Sequence, residues 1–310
     1  MDRNWDCIVV GGGAAGLSAA LVLGRARRRT LLVDASGQSN RAAHGIGGLL
    51  GQDGRPAGEF YDFGRGELAK YPSVEVRDGS VTGGERTAAG FTLEREDGSR
   101  DSAPFVLLAT GADYHYPDVP GIAQRWGRDV FHCPFCHGWE VRDRPLAVLD
   151  RGEAGVRRAL LLTAWSDDVT LLANGDAELT PEDGERLATA GIGIDERVVS
   201  ELRGPAEALD AVVFEDGSER PCGGLLVPVI LHQRSRLAEQ LGATTEPNPM
   251  AADAVVVDGA YATDVPGLYA IGDATGHMPS VANAVAAGSN AAAHVVHAQT
   301  ADVAAQVRAA

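Results

Sequence analysis

Two cysteines in the middle of the chain have the spacing of a redox-active pair. Residues 133–137 read Cys-Pro-Phe-Cys-His, so two residues separate Cys133 from Cys136 and a histidine directly follows the second thiol. This spacing predicts the first thiol at a turn and the second over a helix start, where the helix dipole and a neighbouring imidazolium stabilise a thiolate. A histidine here is suited to moving protons near neutral pH. We therefore predict that Cys133, Cys136 and His137 are catalytic residues for thiol–disulfide exchange.

The same string has other interpretations. Cys-x-x-Cys-His also matches the attachment site of c-type haem, and together with His132 it resembles a metal site. Haem attachment requires an exported chain, and this N-terminus leads straight into a predicted strand without a signal region. A structural zinc site needs four ligands, usually in two pairs, whereas Cys7 and Cys222 are isolated and are predicted to be inert structural thiols. We expect no metal, and for His137 an ordinary surface position stays an open alternative.

A glycine-rich turn near the N-terminus predicts a dinucleotide site. The apolar run Trp5–Val10 leads into Gly11-Gly12-Gly13-Ala14-Ala15-Gly16, an alanine-rich helical stretch, and a second apolar run that ends at Asp34. In this context Gly11 allows the tight turn, Gly13 lets the backbone approach a pyrophosphate, and Gly16 lets helix and strand pack closely. The amides at the helix N-terminus bind phosphates, and Asp34 is placed to accept a hydrogen bond from a ribose hydroxyl.

The order of predicted elements indicates an α/β protein with two nested dinucleotide-binding, Rossmann-like domains. Pro117, Pro120 and Gly121 mark a crossing into a second strand–turn–helix unit, and residues 248–258 form a connection back. We divide the chain into a first domain of residues 1–113 and 246–310, and a central domain of residues 114–245 that carries the cysteine pair. The predicted strands are residues 5–10, 30–33, 74–77, 91–94, 105–109, 145–149, 168–172 and 267–271, and the longest predicted helix is 280–297.

Composition excludes several classes of function. A chain of 310 residues is long enough for two domains, and its net charge of −16 argues against a nucleic-acid or anionic-membrane surface. No apolar stretch approaches the roughly 20 residues needed to cross a bilayer. We therefore expect a cytoplasmic protein without nucleic-acid or membrane partners, in which four cysteines are not a structural disulfide framework.

Over essentially its whole length the chain resembles a low-molecular-weight thioredoxin reductase. The resemblance rests on the interrupted dinucleotide domain, the central Cys-x-x-Cys and a C-terminal Gly-Asp segment. Residues 133–140, Cys-Pro-Phe-Cys-His-Gly-Trp-Glu, are also similar to the motif of dithiol oxidases that close disulfides in natural products such as gliotoxin, holomycin and romidepsin. In thioredoxin reductases an acidic residue usually follows the second cysteine, and here His137 takes that place. The resemblance implies two nested doubly wound domains in three-layer packing, and a homodimer.

Two further segments favour FAD over NAD as the ligand of the first turn. Residues 108–111 (Leu-Ala-Thr-Gly) and 268–273 (Leu-Tyr-Ala-Ile-Gly-Asp) resemble segments of two-dinucleotide-domain flavoproteins. In that family the second aspartate binds the ribityl–pyrophosphate region, and the next helix points its N-terminus at the flavin ring, where its dipole stabilises negative charge. The resemblance implies FAD as cofactor, with contacts from Gly11, Gly13, Ala14, Ala15, Gly16, Asp34, Asn40, Arg41, Val81, Thr110, Gly111, Gly272, Asp273, Val281 and Ala282.

The corresponding turn of the central domain lacks the features of an NADPH site. It reads Leu-Asp-Arg-Gly-Glu-Ala-Gly over residues 149–155, so Asp150 replaces the first glycine and Glu153 lies within the loop. Two carboxylates repel a pyrophosphate in a poorly screened site. After the next strand the chain reads Ala-Asn-Gly over residues 173–175 and continues with acidic residues, which leaves nothing basic for a 2′-phosphate. The open alternative is a divergent NADPH site in which Arg151, Arg157 and Arg158 compensate, although the last two fall inside the predicted helix.

The sequence therefore predicts FAD-dependent oxidation of a small-molecule dithiol to an intramolecular disulfide, with O₂ as acceptor and H₂O₂ as product. In this scheme His137 deprotonates a substrate thiol that attacks Cys133, and Cys136, by family analogy the thiol nearer the flavin, passes the electrons on. Phe135, Trp139 and residues 41–48 are expected to wall the substrate pocket. The alternatives are an NADPH-dependent thioredoxin-disulfide reductase and a non-catalytic flavoprotein that acts as a redox sensor.

Overall fold

The structure is a computed structural model that describes residues 3–309, with side chains over residues 5–301. Its strands are β1 Arg3–Asn4, β2 Cys7–Val10, β3 Thr30–Asp34, β4 Val74–Asp78, β5 Val81–Thr87, β6 Gly90–Arg95, β7 Arg100–Ala103, β8 Val106–Leu108, β9 Ala112–His115, β10 Val130–Phe131, β11 Leu146–Leu149, β12 Val169–Leu172, β13 Gly193–Asp195, β14 Val199–Arg203, β15 Ala211–Phe214, β16 Glu219–Pro221, β17 Gly224–Leu226, β18 Ile230–Gln233, β19 Thr245–Glu246, β20 Ala254–Val255 and β21 Leu268–Ala270. Its α-helices are α1 Ala14–Arg25, α2 Ala57–Leu68, α3 Ile122–Arg125, α4 Pro134–His137, α5 Gly152–Leu162, α6 Pro181–Thr189, α7 Leu237–Gln240 and α8 Val281–Ala309, and 3₁₀ helices cover Ser39–Ala42 and Gly272–Thr275.

The chain divides into two compact units. The flanking unit combines the residues up to Ser39 with Ala57–Tyr114 and the residues from Ile230 onward, and the central unit combines Asn40–Pro56 with His115–Val229. This division differs from the predicted domains in two places. Residues 40–56 belong to the central unit because Gly47 lies against the backbone of Cys136. Residues 230–245 belong to the flanking unit because Leu237 and Leu241 pack in one core with Phe91 and Leu93.

A parallel sheet forms the centre of the flanking unit. Its five strands lie in the order β21-β8-β2-β3-β4, and every neighbouring pair is parallel. β2 and β3 are buried along their full length, which is why they read as continuous apolar runs in the sequence. Side chains such as Ile8 and Val10 pack in one core with Phe91 and Leu93 of the four-stranded sheet β1-β7-β6-β5. Helices α1 and α8 pack so closely that a Cβ at Gly288 would lie 2.0 Å from the Ala15 carbonyl oxygen.

The central unit repeats the parallel arrangement on a smaller scale. Its five-stranded sheet has the order β10-β17-β11-β12-β13 with parallel pairs throughout, and β14, β15 and β16 form a separate antiparallel sheet. Helix α5 follows β11 and buries Val156, Ala159 and Leu162 in a core with Phe131 and Val148. The predicted fold class, α/β with a doubly wound parallel sheet in each of two nested units, is confirmed.

Candidate active site

The local structure of the cysteine motif follows from Pro134 and the glycine after His137. Cys133 is the extended N-cap residue of α4, Pro134 occupies a first-turn position where its missing amide costs nothing, and the Gly138 amide donates to the Pro134 carbonyl at 2.7 Å. Cys133 and Cys136 form a disulfide with their Cα atoms 5.4 Å apart. The prediction was a first thiol at a turn and a second over a helix start, and the structure places Cys133 at the N-cap and Cys136 in the single turn of α4. The helix has only one turn, so the helix dipole expected to stabilise a thiolate is small.

His137 lies beside the disulfide with its ring nitrogens buried. The ring stacks on Phe131 with centroids 5.8 Å apart, and both Nδ1 and Nε2 are buried. The alternative of an ordinary surface histidine is therefore wrong. Burial lowers the pKa of His137 below its usual value, an effect that the carbonyls of Cys133 and Gly127 and the charge of Glu140 oppose. A neutral imidazole beside a disulfide is a proton acceptor, which is the role that the sequence predicts.

A second histidine adjoins the pair on the other side. Burial, and to a smaller extent His137, lowers the pKa of His132 to about 4, so this ring is neutral at physiological pH. It stacks on Trp126 with centroids 5.7 Å apart, and Trp126 in turn packs on Tyr116. No group of three or more His, Cys, Asp or Glu side chains among the described residues is arranged to hold a metal ion. Sequence considered His132 only as a metal ligand, and the structure makes it a buried neighbour of the redox pair.

Large aromatic side chains border the motif and are exposed. Phe135 is 69% exposed and Trp139 is 66% exposed. Phe135 makes an edge contact with Trp165, and the Arg142 guanidinium lies over the Trp139 ring at 3.8 Å. A Cβ at Gly47 would lie 2.5 Å from the Cys136 carbonyl oxygen, so this part of the segment 41–48 adjoins the motif. The two remaining cysteines are buried and free, and burial raises the pKa of the Cys222 thiol to about 12.

The N-terminal glycine turn has the geometry that a phosphate cradle needs. Gly11 has φ +106°, and a Cβ there would lie 2.2 Å from the Ala109 carbonyl oxygen. A Cβ at Gly16 would lie 1.8 Å from the Gly11 carbonyl oxygen, so the helix and the turn touch through backbone alone. Gly13 is different, because the nearest atom to its Cβ position is a Gln38 side-chain carbon at 3.9 Å. Gly13 is also the N-cap of α1 and has no side-chain cap, which leaves the helix amides for a ligand.

Asp34 is buried and holds this turn in place. Its carboxylate accepts hydrogen bonds from the amides of Gly12 and Ser36, both at 3.0 Å, and pairs with Arg65 at 3.4 Å. The sequence predicts a ribose contact for Asp34, and the hydrogen bond to Gly12 is a positioning role that the sequence did not suggest. The Gly79 amide donates to the Asp34 carbonyl at 3.0 Å, so the turn that leads into Val81 begins at this edge of the sheet.

The C-terminal Gly-Asp segment lies against the same turn. A Cβ at Gly272 would lie 3.1 Å from the Ala15 side chain, which brings Gly272 and Asp273 beside the first helix. The Asp273 carboxylate accepts a hydrogen bond of 2.8 Å from the Tyr114 hydroxyl. Burial raises the pKa of Asp273, while Tyr114 and Arg234 act in the opposite direction. Tyr114 lies just beyond the predicted Thr110-Gly111 segment, and sequence reasoning missed it because a tyrosine in a strand carries no motif.

The remaining predicted contacts are distributed over both units. Val281 and Ala282 begin α8, which the Ser18 hydroxyl joins to α1 through a hydrogen bond of 2.7 Å to the Val285 carbonyl. Most of the predicted FAD contacts belong to the flanking unit, whereas Asn40 and Arg41 belong to the central unit. In the flanking unit, the open backbone at Gly13 and the uncapped helix fit a dinucleotide, and a Cβ at Gly13 would fill the cradle.

The second turn is closed by its own side chains and backbone. Asp150 pairs with Arg158 and also accepts a hydrogen bond from the Arg151 amide at 2.9 Å. Glu153 pairs with Arg157 at 3.5 Å, and Arg151 pairs with Glu178 at 3.3 Å.

Backbone groups close the same turn from the other side. The first helix amide, that of Gly152, donates to the Ala177 carbonyl at 2.9 Å. Each of the three arginines that would make a divergent NADPH site is thus engaged by a carboxylate, and an amide expected to face phosphate is already hydrogen bonded.

Comparison with known proteins places the chain in a family of disulfide oxidoreductases. A family model described as pyridine nucleotide-disulphide oxidoreductase matches residues 5–288. The chain is 31% identical to thioredoxin reductase tcpT of Claviceps purpurea over 91% of this chain and 90% of that protein. It is 30% identical to thioredoxin reductase sirT of Leptosphaeria maculans over 94% and 93%. The resemblance to thioredoxin reductases is confirmed.

Solved structures agree with this placement. The crystal structure of HlmI superposes with a TM-score of 0.89 at 35% identity and covers 100% of this chain and 98% of that one. An oxidoreductase from Agrobacterium tumefaciens gives a TM-score of 0.90 at 34% identity, with 96% and 99% covered. Among the described residues, no helix has the length and hydrophobicity required to cross a membrane.

Proposed function

The chain belongs to the pyridine nucleotide-disulphide oxidoreductase family, and we propose that it oxidises a small-molecule dithiol to an intramolecular disulfide, with FAD as cofactor, O₂ as final acceptor and H₂O₂ as product. The observation that carries the proposal is the state of the second turn. Its carboxylates and arginines pair with each other, and its first helix amide is bound to a carbonyl. If a nicotinamide cannot bind there, electrons must enter through the cysteine pair.

FAD fits the first turn, and the predicted contacts of the flanking unit would hold it. The amides around Gly13 would bind the pyrophosphate, Asp34 would bind a ribose hydroxyl, and Asp273 would bind the ribityl chain. Bound FAD would supply the redox chemistry, which is the uptake of two electrons from the cysteine pair and their transfer to O₂. Tyr114 keeps the Asp273 carboxylate fixed as an acceptor.

The chain's own residues account for the chemistry at the substrate. His137 accepts the proton of one substrate thiol, and the resulting thiolate attacks Cys133, which forms a mixed disulfide and releases Cys136 as a thiolate. The second substrate thiol then attacks the substrate sulfur of the mixed disulfide and passes its proton to the leaving Cys133 sulfur. Cys133 leaves with the electron pair of the broken bond, and the cyclic disulfide product departs. The cysteine pair has then gained the two electrons that the substrate has lost.

The similarity to thioredoxin reductases favours a second candidate, an NADPH-dependent reductase of a thioredoxin-like disulfide protein. The two candidates differ in the electron donor and not in the cysteine chemistry, because thiol–disulfide exchange runs in either direction. A non-catalytic flavoprotein is a third alternative, and it differs from both in showing no turnover.

Peroxide formation tests the proposal directly. Aerated protein is mixed with dithiothreitol without NADPH, and H₂O₂ and oxygen uptake are followed. We expect one peroxide for each dithiol oxidised in the wild-type protein and none in Cys133→Ser or Cys136→Ser. Cys222→Ser is the matched control, because this thiol lies in the same unit but is buried and free, and it should retain wild-type turnover. Absence of dithiol-dependent peroxide in the flavin-loaded wild type would refute the oxidase.

A further inference from the structure

The 3₁₀ helix Gly272–Thr275, which we call the Gly-Asp turn, lies at the edge of the flanking sheet where the glycine-rich turn also begins. Strands β21, β8 and β2 are parallel neighbours, so their carboxyl ends meet at one edge of the sheet. β21 ends at Ala270 and leads into the Gly-Asp turn, and β2 ends at Val10 and leads into Gly11. In parallel α/β sheets this is the edge where ligands bind. The hydrogen bonds of the Gly-Asp turn therefore bear on what binds there.

The four backbone carbonyls of the Gly-Asp turn all accept hydrogen bonds from the protein. In the order of the carbonyls 272–275, the donors are the Thr275 hydroxyl, the Gly276 amide, the Gln233 side chain and the Asn248 side chain, at 2.9, 3.0, 2.7 and 3.4 Å. The backbone of the turn is thus held by its own chain. What the turn offers to a ligand has to come from the side chains beside it.

Gln233 is the last residue of β18, and its side-chain amide can face the Gly-Asp turn in only one way. Because the Ala274 carbonyl only accepts, the NH₂ group of Gln233 must be the end that faces it. The other end, Oε1, is buried and has no hydrogen-bond partner among the residues that the structure describes. A buried amide oxygen without a donor costs free energy. The position of Gln233 therefore favours a ligand that brings a donor to Oε1.

A second acceptor lies on the same turn. β18 and β9 form a two-stranded sheet, and one side chain from each strand reaches consecutive residues of the turn. Tyr114 of β9 donates to the Asp273 carboxylate at 2.8 Å, and Gln233 of β18 donates to the Ala274 carbonyl. A carboxylate accepts several hydrogen bonds, so Asp273 keeps capacity for a ligand. Since a carboxylate and an amide oxygen both accept, the group that they bind has to carry O–H or N–H donors, which a phosphate diester linkage and a flavin carbonyl lack.

We propose that Gln233 binds the flavin half of FAD by accepting a hydrogen bond at Oε1 from an O–H of the ribityl chain or from the N–H of the flavin ring. The inference rests on FAD as the proposed cofactor and adds a residue that no sequence motif marks. It divides the cofactor between two sets of groups. The amides of the glycine-rich turn bind the pyrophosphate, which only accepts, and the acceptors beside the Gly-Asp turn bind the donors of the flavin half.

Gln299 shows that an unpaired amide oxygen alone does not make a ligand site. Its Nε2 donates to the Asp6 carbonyl at 3.0 Å, and its Oε1 is likewise buried without a partner in the described part of the chain. Asp6 directly precedes β2, so Gln299 lies at the amino ends of the parallel strands, the edge opposite to the Gly-Asp turn. Gln233 differs in lying at the ligand-binding edge and in having the Asp273 carboxylate on the same turn. Gln299 is therefore a matched control.

Binding to the apoprotein tests the proposal without any turnover. Gln233→Met keeps the length of the side chain but removes the oxygen, and it should weaken FAD binding about tenfold, whereas Gln299→Met should leave the affinity unchanged. ADP carries the pyrophosphate without the flavin, and it should bind Gln233→Met and wild type equally. Calorimetric titration measures both ligands. Equal FAD affinity of Gln233→Met and wild type, or equal losses of FAD and ADP affinity, would overturn the proposal.

A measurement on the wild-type protein does not depend on how the variants fold. With ¹³C-labelled glutamine, the side-chain carbonyl resonance of Gln233 should move downfield when FAD binds and should stay in place when ADP binds, because only FAD brings the donor. The resonance of Gln299 should stay in place with both ligands. A Gln233 resonance that FAD leaves unmoved would contradict the inference.

An analogue of the cofactor distinguishes the two donors. 3-Methyl-FAD lacks the ring N–H, so Gln233→Met should weaken FAD and 3-methyl-FAD equally if the donor is a ribityl hydroxyl, and should weaken FAD alone if the donor is the ring N–H. The inference and its premise fail in different ways. If wild-type apoprotein binds no FAD, the proposed cofactor is wrong and the inference falls with it. If FAD binds equally well with and without the Gln233 oxygen, the cofactor stands and the inference alone is wrong.

Discussion

The glycine-rich turns of the two units share a strand–turn–helix frame but use their polar groups in opposite ways. In the flanking unit, Asp34 is the carboxylate of the turn, and it holds the Gly12 amide while the backbone around Gly13 stays open. In the central unit, Asp150 and Glu153 pair with Arg158 and Arg157 across the turn itself. The Gly152 amide, which would face a phosphate, instead donates to a neighbouring carbonyl.

The comparison shows that a strand–turn–helix unit can keep its fold without keeping a dinucleotide-binding site. Strands β11 and β12 and helix α5 keep a buried core, so the central unit retains its fold. A carboxylate that would repel a phosphate is tolerated in the folded protein because an arginine neutralises it. Each such partly exposed ion pair contributes about 1 kcal/mol or less to the free energy of unfolding. The ion pairs of the second turn thus occupy the position where the phosphates of a dinucleotide would bind, but they supply none of the dinucleotide's redox chemistry.

The largest expected effect separates the two turns by their packing. Gly16→Ala should destabilise the protein by about 3 kcal/mol or more and abolish flavin binding, because its Cβ would lie 1.8 Å from a backbone oxygen. Gly155→Ala, the counterpart in the second turn, meets a Leu171 methyl at 3.0 Å, and we expect a cost of about 1 kcal/mol with flavin retained. Urea unfolding and the flavin absorbance of the purified variants measure both. Equal losses in the two variants would show that the turns are equivalent.

The next effect concerns electron entry at the cysteines rather than at the second turn. His137→Gln should slow anaerobic flavin reduction by dithiothreitol about 100-fold. Because burial lowers the pKa of His137, its neutral form persists below pH 6.5, so the wild-type rate should fall only as the pH drops below this value. The variant should lack this acid limb. An unchanged rate and pH profile in the variant would show that His137 is not the group that accepts the substrate proton.

A moderate effect concerns the open position of the first turn. Gly13→Ala should fold normally, since its Cβ has only a Gln38 carbon at 3.9 Å, but we expect about tenfold weaker flavin binding because the methyl group blocks the pyrophosphate. Gly184→Ala in α6 of the central unit, with no atom within 4 Å, is the control. Thermal unfolding and flavin titration of the apoprotein report the two properties separately. Full flavin affinity in Gly13→Ala would move the cradle away from this turn.

The smallest effect is expected from an attempt to repair the second turn. Removing both loop carboxylates in an Asp150→Gly, Glu153→Ala double variant should change NADPH-driven flavin reduction by less than about twofold, because the Gly152 amide keeps its carbonyl partner and no basic residue is gained for the phosphate. Stopped-flow absorbance at the flavin band measures the rate. Rapid bleaching by NADPH in the double variant would show that the two carboxylates alone close the site.

Several strands and the longest helix could be predicted from the sequence because each depends on a pattern of neighbouring residues. The strands predicted at residues 30–33 and 168–172 are β3 Thr30–Asp34 and β12 Val169–Leu172, because fully buried parallel strands read as short apolar runs between polar residues. The longest helix, expected at 280–297, covers Val281–Ala309. The glycine turn was recognisable since part of its spacing follows from the contact of Gly16 with the Gly11 backbone.

Features that depend on distant packing were not predictable in the same way. The loop of residues 40–56 lies in sequence between elements of the flanking unit, and contacts such as that of Gly47 with Cys136 assign it to the central unit. The burial of His137 arises from its stacking on Phe131, which the motif does not encode. The sequence-based alternative used Arg157 and Arg158 as compensating cations, although the i,i+4 spacing of Glu153 and Arg157 in α5 already permitted the pair that these two residues form.

The most direct test of the central claim is to offer both electron donors to one sample of flavin-loaded protein without oxygen. NADPH and dithiothreitol are mixed with separate aliquots in a stopped-flow instrument, and the flavin band is followed. We predict that dithiothreitol bleaches the flavin at least about 100-fold faster than NADPH does, and that admitted air restores the band with formation of H₂O₂. Rapid bleaching by NADPH would contradict the account and identify the protein as a reductase.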